Sequence, residues 1–297
     1  MTSNRRVLSA GLFLIGTLSS MAVVAQSGPN GLHNPAGIMW MRGAAPPGAT
    51  SIGPFTAISI NNVPYNGGAV FPHPNVYAFW WGNSSDFPSD TRDGIDDFFH
   101  IVNGTAYIDL LNQYLFGQSP YVRFAGNVFD RSAPPTQDAP TSEVVLEVYN
   151  VLLASGLRPD PSAIYAVYTS DFPNENYYCA WHDVGTAPDG TLIHVMFVPN
   201  SQNQPLCWVQ PPELSCNTHS NGLQAAMNST AHELFETITD PNTNAWVNLS
   251  PSNPYNEIGD PCNFVYRHCV GLSDGTKWQL QMMWSDKAQA CKQTAGE

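Results

Sequence analysis

Charge is scarce in this 297-residue chain: Asp, Glu, Lys and Arg together make up 12% of it, and lysine plus arginine number only 11. Against 24 acidic residues this leaves a formal net charge of −13, so there is no basic footprint for nucleic acid or for an anionic membrane surface. Beyond the first 25 residues no long uninterrupted apolar stretch occurs, which predicts a mature chain without a membrane span. There is no G-x-S-x-G segment, the mark of a serine nucleophile elbow. No C-x-x-C pair occurs, which argues against a cysteine metal site. There is no internal repeat.

What is present begins with a targeting signal. Arg5 and Arg6 precede an apolar run from Val7 to Val24 that closes on Val23-Val24-Ala25, the pattern of a secretory signal peptide cleaved before Gln26. Interruptions at Ser9, Gly11, Gly16, Thr17, Ser19 and Ser20 dilute the run as a membrane anchor. Six cysteines, Cys179, Cys207, Cys216, Cys262, Cys269 and Cys291, follow in the second half, and an even number behind a signal peptide predicts disulfides. Proximity suggests Cys207 with Cys216, and Cys262 with either Cys269 or Cys291. Four sequons, at Asn83, Asn103, Asn228 and Asn248, fit glycosylation in a eukaryotic host. Localisation is thus expected to be secreted, extracellular or cell-wall-associated.

Three segments follow from composition: a signal peptide over 1–25, an extended Gly/Pro-rich arm or irregular edge strands over 26–74, and one α/β domain over 75–297. Val76 to Trp81 reads as a buried strand between Pro74 and Gly82. Helical patterns cover Asp90 to Val102, Thr105 to Phe116 and Ser142 to Ser155, with extended runs at Tyr121 to Phe129, Ala163 to Thr169 and Thr191 to Val198. The last helix runs from Asn221 to Thr239, where Leu223, Met227, Ala231, Leu234 and Ile238 form one apolar stripe and Asp240-Pro241 stops it. This order predicts helices packed on a central mixed sheet, followed by a long disulfide-braced loop region.

That last helix carries His232-Glu233-Leu234-Phe235-Glu236. His232 and Glu236 are four residues apart and project from one face a turn apart, which is bidentate metal-ligand spacing. Glu233 stands where the general base of an H-E-x-x-H helix takes a proton from water on the metal. The same residues also suit the solvent face of an amphipathic helix. Catalytic zinc takes three protein ligands, so a third is sought in the following loop, where Glu257 and Asp260 flank Gly259. A carboxylate in place of the second histidine neutralises more of the dication's charge and moves the preference from zinc towards calcium, magnesium or manganese.

The run from Thr230 to Pro241, with Asn244-Ala245-Trp246 and Glu257-Ile258-Gly259-Asp260 before Cys262, resembles secreted proteins related to the EXORDIUM/phosphate-induced protein 1 family. Val76 to Gly82 and Cys179-Ala180-Trp181-His182 extend the likeness upstream. The resemblance implies an extracellular or wall-associated protein with a zincin-like topology. It carries over His232, Glu236, Glu257 and Asp260 as metal ligands and Glu233 as base, with no third histidine. His182 is a further candidate, as ligand or as donor to an oxyanion, or simply a buried core histidine. Two functions are expected: a metallopeptidase-like hydrolase using zinc, with calcium as the alternative, on a peptide or protein substrate; or a non-catalytic protein that binds a cell-wall component, with a structural metal or none.

Overall fold

The computed structural model describes residues 37–44, 63–174, 177–209, 216, 219–249 and 257–297. The signal peptide and much of the Gly/Pro-rich arm lie outside the described residues. The fold is mixed α/β: a six-stranded sheet with helices on both faces. Its strands are β1 (Gly37–Trp40), β2 (Asn75–Trp81), β3 (Arg123–Asp130), β4 (Ala163–Thr169), β5 (Tyr178–Thr186) and β6 (Leu192–Pro199), in the order β1-β5-β6-β4-β2-β3. β6, β4, β2 and β3 are mutually parallel, whereas β5 runs antiparallel to β6, and β1 antiparallel to β5.

The apolar runs of β2, β4 and β6 follow from this arrangement, because a parallel strand covered on both faces has no solvent side on which to place polar residues. On one face lies α2 (Thr141–Ala154), whose Val144, Val145, Val148 and Leu152 are all buried against Phe79, Val167, Trp181 and Phe197. On the other lie α1 (Thr91–Ile101) and α3 (Asn221–Thr239). There Leu223, Met227, Ala231, Leu234 and Ile238 join Phe98, Phe99, Ile164 and Met196 in the larger core. Ser220 caps α3, its hydroxyl accepting from the Leu223 N–H at 3.0 Å while donating to Asp90 at 2.7 Å.

One expected element changes and one strand is added. Thr105 to Phe116 is not a full helix but turns around a short 3-10 segment, Ile108–Gln113. β5 was not marked by periodicity: its burial holds from Tyr178 to Asp183 with no alternation to mark it. Gly37–Trp40 is built into the sheet as edge strand β1, with Met39 fully buried, an edge strand of the kind expected within 26–74.

The disulfides correct the pairing expected for Cys207. Cys179 pairs with Cys207, Cys216 with Cys269, and Cys262 with Cys291. Sequence nearness failed for Cys207 because the chain at the end of β1 joins two segments distant in sequence: the Met41 N–H donates to the Tyr177 carbonyl and the Arg42 N–H to the Leu206 carbonyl, which sets Cys179 beside Cys207. All six are paired, which fits a secreted or extracellular protein. Among the described residues no helix is long and apolar enough to cross a membrane.

Cys262–Cys291 ties down the segment that follows Glu257 and Asp260. Closing a loop over a sequence separation of 29 stabilises a fold by roughly 3–4 kcal/mol on the chain-entropy account. Replacing both cysteines by serine is expected to lower the unfolding free energy by about that amount in urea denaturation. A second expectation concerns Glu147 of α2: burial, then its hydrogen bond and repulsion with Asp130, raise its carboxyl to about 7. The folded state then holds a proton that the unfolded chain gives up near pH 4.5, so this group's contribution to stability falls as pH rises from about 4.5 to 7. Glu147→Gln should flatten that part of a Tm-versus-pH profile.

Candidate metal centre

Alternation along β5 decides which way its side chains face: Ala180 enters the core on the α3 side and Trp181 the core on the α2 side. His182, two residues on from Ala180, therefore projects towards α3. There it meets the H-E-x-x-E face. His182 Nδ1 lies 3.0 Å from Glu233 Oε2 and 3.7 Å from Glu236 Oε2, and its Nε2 lies 3.4 Å from Glu257 Oε1. His232 Nε2 is 3.2 Å from Glu236 Oε2, as the i, i+4 spacing requires, and 3.7 Å from Asp260 Oδ1.

None of these six side chains is more than 4% exposed. The surface-helix reading is therefore overturned: every residue of α3 except Asn221 and Gln224 is buried. Asn228 is fully buried too, its Oδ1 accepting the Gln281 N–H at 2.8 Å, so this sequon offers no glycosylation site in the folded chain.

The loop is threaded under α3 by its glycine. The Gly259 N–H donates to Glu236 Oε1 at 2.9 Å, the Trp284 N–H holds the Ile258 carbonyl at 2.7 Å, and Asp260 Oδ2 accepts the Glu257 N–H at 3.1 Å. A Cβ at Gly259 would come within 2.9 Å of the His232 ring and within 2.8 Å of Glu236 Oε1, which only glycine avoids. Gly37 of β1 presses on the other side of the site, where a Cβ would overlap the His182 imidazole. At the end of α3 Asp240 Oδ1 accepts the N–H groups of Asn244 and Ala245, both at 2.6 Å, and turns the chain away.

Gln281 escaped the sequence reading. Its Nε2 lies 2.9 Å from His232 Nδ1 and 3.1 Å from the Gly259 carbonyl. The alternation of Trp278, Leu280, Met282 and Trp284 with Gln279 and Gln281 was the available signal, since it describes an extended segment with its amides on the opposite face. With Nδ1 accepting from Gln281, a neutral His232 carries its proton on Nε2; turning the amide over would let Oε1 accept from a protonated Nδ1 and free Nε2 as a ligand, at the loss of the bond to the Gly259 carbonyl.

Five atoms converge here without a hydrogen-bond partner: His182 Nε2, His232 Nε2, Glu233 Oε1, Glu236 Oε2 and Glu257 Oε1. Among the described residues no lysine or arginine pairs with any of these carboxylates. Burial pulls an imidazole's pKa down, but the facing carboxylates prevail. Glu236 foremost pushes His232 up to about 10, and Glu257 and Glu233 push His182 well above its ordinary value. Burial raises Glu233 and, more strongly, Glu257, whereas His232 and the Gly259 N–H hold Glu236 low against the same burial. Metal ligands bind deprotonated, so a cation entering this site displaces protons.

Fold and site together define an extracellular-type, disulfide-braced α/β protein whose buried His and Glu groups can hold a metal ion. His182, Glu236 and Glu257 form one such group, and His232, Glu233 and Glu236 another, each with ligand atoms within 4.8 Å of one another. Asp260 belongs to neither group but stays beside His232. Comparisons with protein families, with curated proteins and with solved structures found no match.

Replacing Gln281 by leucine removes the polar partner of His232 while preserving bulk. A ligand imidazole that loses such a partner typically costs 10–100-fold in metal affinity. Competition titration of wild type and Gln281→Leu against a chromogenic chelator should show a loss in that range, and equal affinities would deny Gln281 this role.

Proposed function

We propose that this protein is a secreted metallopeptidase-like hydrolase that holds a divalent cation, zinc in the first instance, between His232, Glu236 and the loop carboxylate Asp260. One observation carries the reading. Glu233 Oε1, buried and without a partner, stands beside the His232–Glu236 pair, while Glu233 Oε2 is held at 3.0 Å by His182. A cation there supplies Lewis acidity, polarising a carbonyl and acidifying a water.

The chain's own residues supply the rest. Glu233 accepts the proton of the attacking water and passes it to the leaving amine. His182 fixes the orientation of that carboxylate through its Nδ1, 3.0 Å from Glu233 Oε2. The spacings support the ligand set: atoms about 2.1 Å from a tetrahedral ion are roughly 3.4 Å apart, beside the 3.2 and 3.7 Å found around His232 Nε2. Calcium is the alternative ion because the donors are mostly carboxylate oxygens. The resemblance of the helix and loop to EXORDIUM-related proteins supports an extracellular or wall-associated setting, and the H-E-x-x-E spacing with the following acidic loop supports a peptide or protein substrate.

Burial favours a second reading. Ligand side chains at most 4% exposed suit a structural ion inside a non-catalytic protein that binds a cell-wall component. Elemental analysis of the purified secreted protein, with casein-type peptide cleavage by wild type and Glu233→Gln, separates the two. The hydrolase reading expects retained metal and a loss of 10²–10⁴-fold in kcat for the variant. Metal-replete wild type that cleaves nothing and unfolds on chelation would leave the structural ion standing. Protein without metal would remove the hydrolase and the structural ion and leave a cell-wall-binding protein without metal.

A further inference from the structure

We infer that the centre is built for two divalent cations bridged by Glu236, the second held by His182 and Glu257. This deepens the metal reading above and rests on it.

The first observation is the tautomer of His182. Its Nδ1 lies 3.0 Å from Glu233 Oε2, so the neutral ring places its proton there and turns the lone pair of Nε2 outward. That lone pair faces Glu257 Oε1 at 3.4 Å with no hydrogen bond between them, although both atoms are shut off from solvent. Held face to face in a dry site, these two atoms need a proton or a cation between them, and a cation bound there takes the place of the imidazole proton. A cation about 2.1 Å from both would subtend roughly 108° between them, close to the tetrahedral angle. Glu233 is then the carboxylate that orients a ligating histidine through its other nitrogen, an arrangement that recurs around protein-bound metals.

The second observation is the position of Glu236. Its Oε1 is tied to the Gly259 N–H. Its Oε2, without a partner, lies 3.2 Å from His232 Nε2 and 3.7 Å from His182 Nδ1, between the two imidazoles. It belongs to both three-residue groups, which makes it the shared ligand. A carboxylate in that position holds two ions about 3.5–4 Å apart, the usual spacing of two-metal hydrolytic sites.

The third is charge. Glu233, Glu236, Glu257 and Asp240 are buried carboxylates crowded around His182, with no lysine or arginine partner among the described residues. Uncompensated buried charge is strongly disfavoured, so each cation bound among them relieves the repulsion the carboxylates exert on one another.

The experiment counts ions on the intact, disulfide-bonded secreted chain. Zinc-loaded protein, dialysed and measured by native mass spectrometry, is expected to carry two ions per chain, falling to one in His182→Ala and in Glu257→Gln. Because those variants can fail to fold, wild type is also loaded with Mn2+. Electron paramagnetic resonance should then show an exchange-coupled pair rather than two isolated six-line signals. A wild-type endpoint of one zinc, or two uncoupled Mn2+ ions, overturns the bridged pair and leaves a single-ion site intact. An endpoint of zero overturns both.

Discussion

The rest of the molecule is arranged around the removal from water of four carboxylates and two imidazoles at the junction of α3, β5 and the 257–260 loop. Desolvating one such ion costs on the order of several kcal/mol even after relaxation. The protein meets that cost with a close ring of opposite partners and backbone donors rather than with distant lysines. Each imidazole is faced by carboxylates, and Glu236 takes a backbone N–H as well. Such a cluster survives only where its geometry is held on all sides.

The surroundings supply that hold. α3 contributes three of the six groups and is itself packed on the sheet through its apolar stripe, so rotation of the helix would break the core before it broke the site. β5 fixes His182 by antiparallel pairing on both edges, with β1 and with β6. The loop is less regular and is secured differently. Gly259 lets the backbone approach α3, Gln281 bridges loop and helix, and Cys262–Cys291 anchors the chain just beyond Asp260. Edge strand β1 shields the site from the other side, Gly37 lying against His182.

Much of the architecture was legible because it depends on local pattern. The 3.6-residue stripe of α3 located that helix to the residue, and the apolar runs of β2, β4 and β6 located the buried strands. The i, i+4 relation of His232 and Glu236 brought them to one face by helix geometry alone. Less legible was anything that required knowing which distant segments meet. β5 gave no period-2 signal because it is buried on both faces, and the Cys179–Cys207 bond depends on the distant end of β1, which hydrogen-bonds to Tyr177 and to Leu206. Gln281 is an ordinary amide until the fold sets it between an imidazole and a carbonyl.

The sequence by itself determined the presence of a His–carboxylate helix, an acidic loop to follow it and an even set of cysteines, since composition and helical periodicity are properties of neighbouring residues. Only the tertiary structure decided that this helix face is buried rather than solvated. It alone brought His182 into the cluster, and it alone aimed five buried polar atoms without hydrogen-bond partners at one another. The reason is physical: burial and convergence are set by long-range packing of strand, helix and loop, and no local pattern encodes them.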